Sequence, residues 1–168
     1  MSQQGAQLTG EGPRAQAAGM MNMLMVLLSL AAPAQDRDAA VDRTLEAWVE
    51  MWNSYDLDEV DRLFVADESV TYFSSEYEGL VEGIGALREH HVGFGFRAGG
   101  APTGSRLWLE DVEVRWADGT AVVLAQWLFS RPDAEGPPQK GPVSFVLVAG
   151  DDGYRILHAH FANAPASG

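Results

Sequence analysis

Histidine is the residue type best suited to moving protons near neutral pH. The four in this chain fall in two pairs, His90-His91 and His158-Ala159-His160. Side chains alternate along a strand, so His158 and His160 would share one face about 7 Å apart. Turned into an apolar pocket, either would serve as a general acid or base. Turned outward, both would be interface residues with hydrogen-bonded partners. The sequence leaves the face open: Ile156, His158 and His160 on one side, or Leu157, Ala159 and Phe161. With His91 as a third ligand the pair would suit zinc or iron, but no carboxylate is placed to complete the set, so no metal is expected. The chain holds no cysteine, which excludes a thiolate zinc site, a disulfide framework and a cysteine nucleophile.

A second group of residues bears on binding rather than proton transfer. Trp48, Trp52, Tyr72 and Trp127, with His91 and Phe161, are the expected lining of a ligand pocket. Trp48 and Trp52 also lie at the spacing of a helix face, where an aromatic stripe serves equally as core. Glu82, Arg88 and Glu89 fall on the solvated side of a helix by the same spacing.

These residues need elements to hold them. Val41, Leu45, Trp48, Val49 and Trp52 draw one apolar stripe, predicting an amphipathic helix from Asp36 to Tyr55. Asp56 with Glu59 three residues on has the form of a capping box for a short second helix ending near Ala66. Ser69 to Phe73 reads as a strand, Ser74 to Gly79 as a loop, and Glu82 to Val92 as a third helix. After a connector from Gly93 to Gly104, Trp108, Val112, Val114 and Trp116 alternate with polar residues up to the turn dipeptide Asp118-Gly119. Ala121 to Arg131 returns as a second strand. Pro142 to Ala149 and Tyr154 to Phe161 flank Gly150-Asp151-Asp152-Gly153 as another hairpin, and Pro132 to Gly141 is the longer loop between the hairpins. Three helices then cover one face of a curved antiparallel sheet, an α+β domain shaped as a cone whose wide end is hard to fill.

With 168 residues there is material for one domain, and 46% hydrophobic residues give it a core. The 24 acidic residues exceed the 11 basic ones for a formal net charge of −13, which argues against nucleic acid as a partner. The run Met20 to Ala34 has the length of a signal-peptide core and ends in Ala32-Pro33-Ala34, with cleavage expected after Ala34. The expected division is therefore a tail and signal peptide over 1–34, a domain over 35–165 and a tail over 166–168. Such a chain is exported to the periplasm or beyond, without a stable membrane anchor after cleavage. If the run instead packs on its own domain, the chain is cytoplasmic.

Three strings have a familiar combination. They are Trp52-Asn53-Ser54-Tyr55-Asp56-Leu57-Asp58 continuing to Leu63-Phe64-Val65-Ala66-Asp67-Glu68-Ser69-Val70, then Glu82-Gly83-Ile84-Gly85-Ala86-Leu87-Arg88, and the closing Gly153-Tyr154-Arg155-Ile156-Leu157-His158-Ala159-His160-Phe161. With them the chain resembles, over Asp36 to Pro165, the nuclear transport factor 2-like superfamily and its SnoaL-like branch. The resemblance implies a cystatin-like α+β barrel, a small-molecule ligand and a homodimer formed through the sheet. It implies no cofactor. Ketosteroid isomerases of this fold use an Asp base with a Tyr and a protonated Asp as oxyanion donors. Those positions fall here on Tyr72, on Trp48 and near Phe145 or Val146, none of which supplies that chemistry, so this activity is not expected. The last strand is also similar to the calcium/calmodulin-dependent kinase association domain, which leaves a non-catalytic oligomerisation module as one alternative. A histidine-dependent isomerase, dehydratase or cyclase is another.

Overall fold

The computed structural model describes residues 34–165. The expected signal segment, apart from its last residue, lies outside the described residues. The first helix, α1 (Ala34–Ser54), buries Val41, Leu45, Trp48, Met51 and Trp52 on one side. Met51 takes the buried place that the apolar spacing assigns to Val49, which is half-buried. Two side chains lock this helix to the sheet. Thr44 Oγ1 donates to the Tyr154 carbonyl at 2.9 Å, and the Asn53 amide both donates to and accepts from the Leu107 backbone at 3.1 and 2.7 Å.

The short helix α2 (Asp58–Leu63) lacks the expected capping box. Asp56 Oδ1 accepts from the Asp58 N–H at 3.0 Å, an Asx-type turn, while Glu59 is drawn away to Arg62 at 2.6 Å. Strand β1 (Thr71–Phe73) is followed by β2 (Leu80–Glu82), a strand missing from the sequence reading, and then by α3 (Ile84–Gly93). At three residues β2 is too short to show alternation, and only its pairing with β1 defines it.

Four long strands complete the chain: β3 (Arg106–Ala117), β4 (Thr120–Ser130), β5 (Gln139–Gly150) and β6 (Gly153–Phe161). Asp118 and Gly119 both adopt positive φ, 47° and 82°, as the tight β3–β4 hairpin requires. The sheet runs β2-β1-β6-β5-β4-β3. It is antiparallel except where β1 lies parallel to β6, a pairing that the expected all-antiparallel sheet lacked. The result is α+β, with helices on one face of a curved sheet whose edges stay apart rather than closing into a barrel.

Two β-bulges set which residues face the helices. In β3 the register shifts between Glu110 and Glu113, so Leu107 and Leu109 share the inner face with Val114 and Trp116. Trp108, read from the sequence as in phase with Trp116, is instead on the outer face opposite Leu128. In β6 the shift leaves Leu157 unpaired between Ile156 and His158. Ile156, Ala159 and Phe161 are therefore the buried set, a combination that matches neither of the two faces the alternation offered.

Candidate functional site

Aromatic residues pile up at one end of the helix-covered face, where α1 ends, β4 finishes and β5 begins. They leave a cavity of about 460 Å³. Its buried wall is Trp52, Tyr55, Tyr72, Leu107, Trp127 and Phe161, and its more exposed rim includes Tyr77, Phe94, Phe129, Glu76, Arg131 and Gln139. The size is that of an ordinary small-molecule pocket, and such pockets are mostly apolar with a few polar groups.

Each wall residue is held from behind. Tyr55 terminates α1 in the left-handed region, φ 55°, with its carbonyl accepting from the Arg97 N–H at 3.0 Å. That conformation costs a residue with a Cβ about 1–2 kcal/mol, offset by burial of the ring against Phe96 at 4.9 Å. Phe161 lies between Tyr72 and Trp48, stacked at 5.4 and 5.5 Å. Trp127 Nε1 donates to the Ala162 carbonyl at 3.0 Å, fixing the indole against the segment that follows β6. That segment crosses β5 at Gly141, where a Cβ would sit 1.8 Å from the Ala162 oxygen, so only glycine admits the crossing.

A SnoaL-like domain model matches residues 41–167. The chain belongs to the SnoaL-like family. No curated protein matches it. Solved structures of similar fold include a nuclear transport factor 2-like superfamily protein from Salmonella enterica, 16% identical over 81% of this chain and 96% of that one, TM-score 0.65. Aln2 from a Streptomyces species is 18% identical over 78% and 93%, TM-score 0.63. A putative calcium/calmodulin-dependent protein kinase type II association domain from Thiobacillus denitrificans is 17% identical over 76% and 94%, TM-score 0.61. At these identities the likeness concerns the fold alone.

In this SnoaL-like domain, four of the residues expected to line a pocket do so: Trp52, Tyr72, Trp127 and Phe161. Trp48 and His91 stand behind the wall, both fully buried. Trp48 meets Phe145 edge-on at 5.1 Å, so the positions compared with the isomerase oxyanion donors are packed aromatic rings, with the Trp48 indole N–H buried and without a partner among the described residues. Val146 lies on the opposite side of the sheet, paired with His158.

His91 Nδ1 lies 2.8 Å from the Leu87 carbonyl. A carbonyl only accepts, so Nδ1 carries the proton and Nε2 holds the lone pair, with no partner among the described residues. Burial, with a smaller contribution from neighbouring His90, holds its pKa down at about 4, against the opposing pull of the Leu87 bond. The ring is neutral at physiological pH but enclosed by Trp52, Phe64, Tyr72 and Phe96. The Tyr72 hydroxyl is pushed well above the usual phenol range by burial, so it acts as an O–H donor and not as a base.

His158 and His160, the candidates for proton transfer, lie on the other side of the sheet from the cavity. They pair in register with Thr71 and Phe73, and His158 Nδ1 is 2.8 Å from Thr71 Oγ1. The Leu157 bulge is the reason, because it reverses the phase between Ile156 and the histidines. Among the described residues no cluster of His, Asp and Glu suits a metal ion.

Sequence reasoning missed Tyr55, Leu107, Phe129 and the rim. Phe129 lies two residues beyond Trp127 and opposite Leu107, so hairpin register carried a signal for both. Tyr55 gave none, since its side chain is aimed by the left-handed backbone.

Proposed function

We propose that this SnoaL-like protein binds a small, largely apolar organic molecule in the aromatic cavity. The observation that carries the proposal is the wall itself: six buried residues, five of them aromatic, surround about 460 Å³. No carboxylate belongs to that buried wall, and Glu76 is at the exposed rim. The buried wall favours binding by shape and apolar contact, while Ser74, Ser75, Arg131 and Gln139 make the mouth polar. Proton transfer by His158 or His160 has no route to the cavity. Trp52 and Trp127 report the test, since both line the space. A polarity-sensitive naphthalene dye should accept energy from them and brighten on titration. Leu107→Trp, which narrows the cavity with a larger ring, should weaken the signal while the domain still melts cooperatively. A dye signal unchanged by the narrowing substitution would defeat the proposal.

The outer sheet face favours a second role beside the first, association with another copy. At its centre Phe73, His158, His160, Ser144, Val146 and Leu124 carry no formal charge in their usual neutral state. A chain of net charge −13 repels its own copy over most of its surface, and this neutral face is where two copies meet with least repulsion.

A further inference from the structure

Among the polar groups in the cavity lining, two lie at different depths. Tyr72 presents a protonated hydroxyl in the buried wall. At the exposed rim Arg131 lies with its guanidinium 5.2 Å over the Phe129 ring. Arg62, Arg88 and Arg115 are ion-paired, to Glu59, Asp61 and Glu113; Arg131, like Arg37, Arg43, Arg97, Arg106 and Arg155, has no carboxylate partner among the described residues, and of these it is the one in the cavity lining. Among the described residues Arg131 is the one cationic side chain that lines this cavity. The carboxylate of the same rim is engaged: Glu76 Oε1 accepts from Gln139 Nε2 at 2.8 Å, and Gln139 also donates to Asn163 at 3.0 Å.

Resting on the binding role proposed above, the geometry points to a planar aromatic acid as the ligand class, its rings among Tyr72, Trp127 and Phe161 and its carboxylate at the mouth against Arg131. The guanidinium fork matches a carboxylate with two parallel N–H donors, and stacking on Phe129 already limits its orientations. The field of the chain opposes an anion at long range, but that field is screened over about 8 Å at physiological salt, while the contact pair acts at hydrogen-bond distance. An aromatic amine would gain from the same rings and meet the charge of Glu76, whose hydrogen bonds from neutral groups all go to Oε1, but it would be repelled by Arg131, and titration decides which rim charge prevails.

Isothermal titration of the full chain with three probes of one ring system separates these outcomes: 2-naphthoate, its neutral amide 2-naphthamide, and 2-naphthylmethylamine. The naphthoate is expected to bind about tenfold more tightly than the amide. Arg131→Gln, an exposed substitution, should weaken the naphthoate more than the amide and so remove the difference between them. An amide or amine that binds as well as the naphthoate overturns the acid assignment and leaves the cavity's binding role standing. So does an Arg131→Gln protein that keeps the difference. Failure of all three probes to bind overturns both.

Discussion

His91 and Tyr72 show how the same burial acts oppositely on two titratable groups. Desolvation disfavours the charged form of each, lowering the histidine and raising the phenol. For His91 this has a consequence for stability. Its folded pKa of about 4 lies below its ordinary 6.5, so between those values the unfolded chain takes up a proton that the folded chain refuses. Stability from this residue is complete above the upper value and is lost as pH falls towards the lower one. The loss should reach about 3 kcal/mol. Urea unfolding at about pH 7.5 and about pH 4.5 measures it, with His91→Leu expected to lose about that much less than the wild type over the interval. His158, also lowered chiefly by burial, acts in the same way in both proteins and cancels in the comparison, whereas His90, whose charge is coupled to His91, is best replaced in both. The sequence could not disclose His91's role: helical spacing offered His91 or Val92 beside Leu87 on the buried side, and the neutral state of His91 depends on the rings of other elements closing over it.

Elements with regular periodicity were legible, and those with interrupted periodicity were not. The stripe of α1, the Asp118-Gly119 hairpin and the long strands all follow from spacing and turn chemistry. The face of His158 and His160 did not, because one unpaired residue, Leu157, reverses the alternation that the reading rested on. The same failure put Trp108 in phase with Trp116 across the β3 bulge. Gly141 is a third local feature with a non-local cause, since nothing near it in sequence shows that the chain crosses there at Ala162. Gly141→Ala must displace that crossing and with it the carbonyl that holds Trp127. A destabilisation of about 1–3 kcal/mol is expected. Thermal or chemical denaturation would show it, together with a change in tryptophan emission from the released indole. An unaltered melting curve would mean that the segment after β6 moves freely.

For the molecule as a whole, the balance of charge and exposed surface decides how it meets others. Leu124 and Phe73 stand 44% and 37% exposed on the outer sheet face, uncharged at its centre with the paired Glu113 and Arg115 beside Leu124 on β3, and this is the basis for proposing a homodimer. Leu124→Glu adds a carboxylate to each copy at that face and should shift sedimentation velocity from dimer to monomer without lowering the melting temperature of the domain. A wild-type chain that sediments as a monomer would leave the face without that role. Export is likewise a proposal resting on the run Met20 to Ala34, and it predicts a mature protein beginning at Gln35. No helix among the described residues is long and apolar enough to cross a membrane.

The most direct test of the central claim, a small organic molecule held in the aromatic cavity, is native mass spectrometry of the protein purified from its producing cell. The wild type should carry an excess mass that disappears on denaturation, and Leu107→Trp, which narrows the cavity, should carry less of it when prepared in the same way. A wild type without excess mass, or an excess that the narrowed cavity retains equally, would contradict the claim.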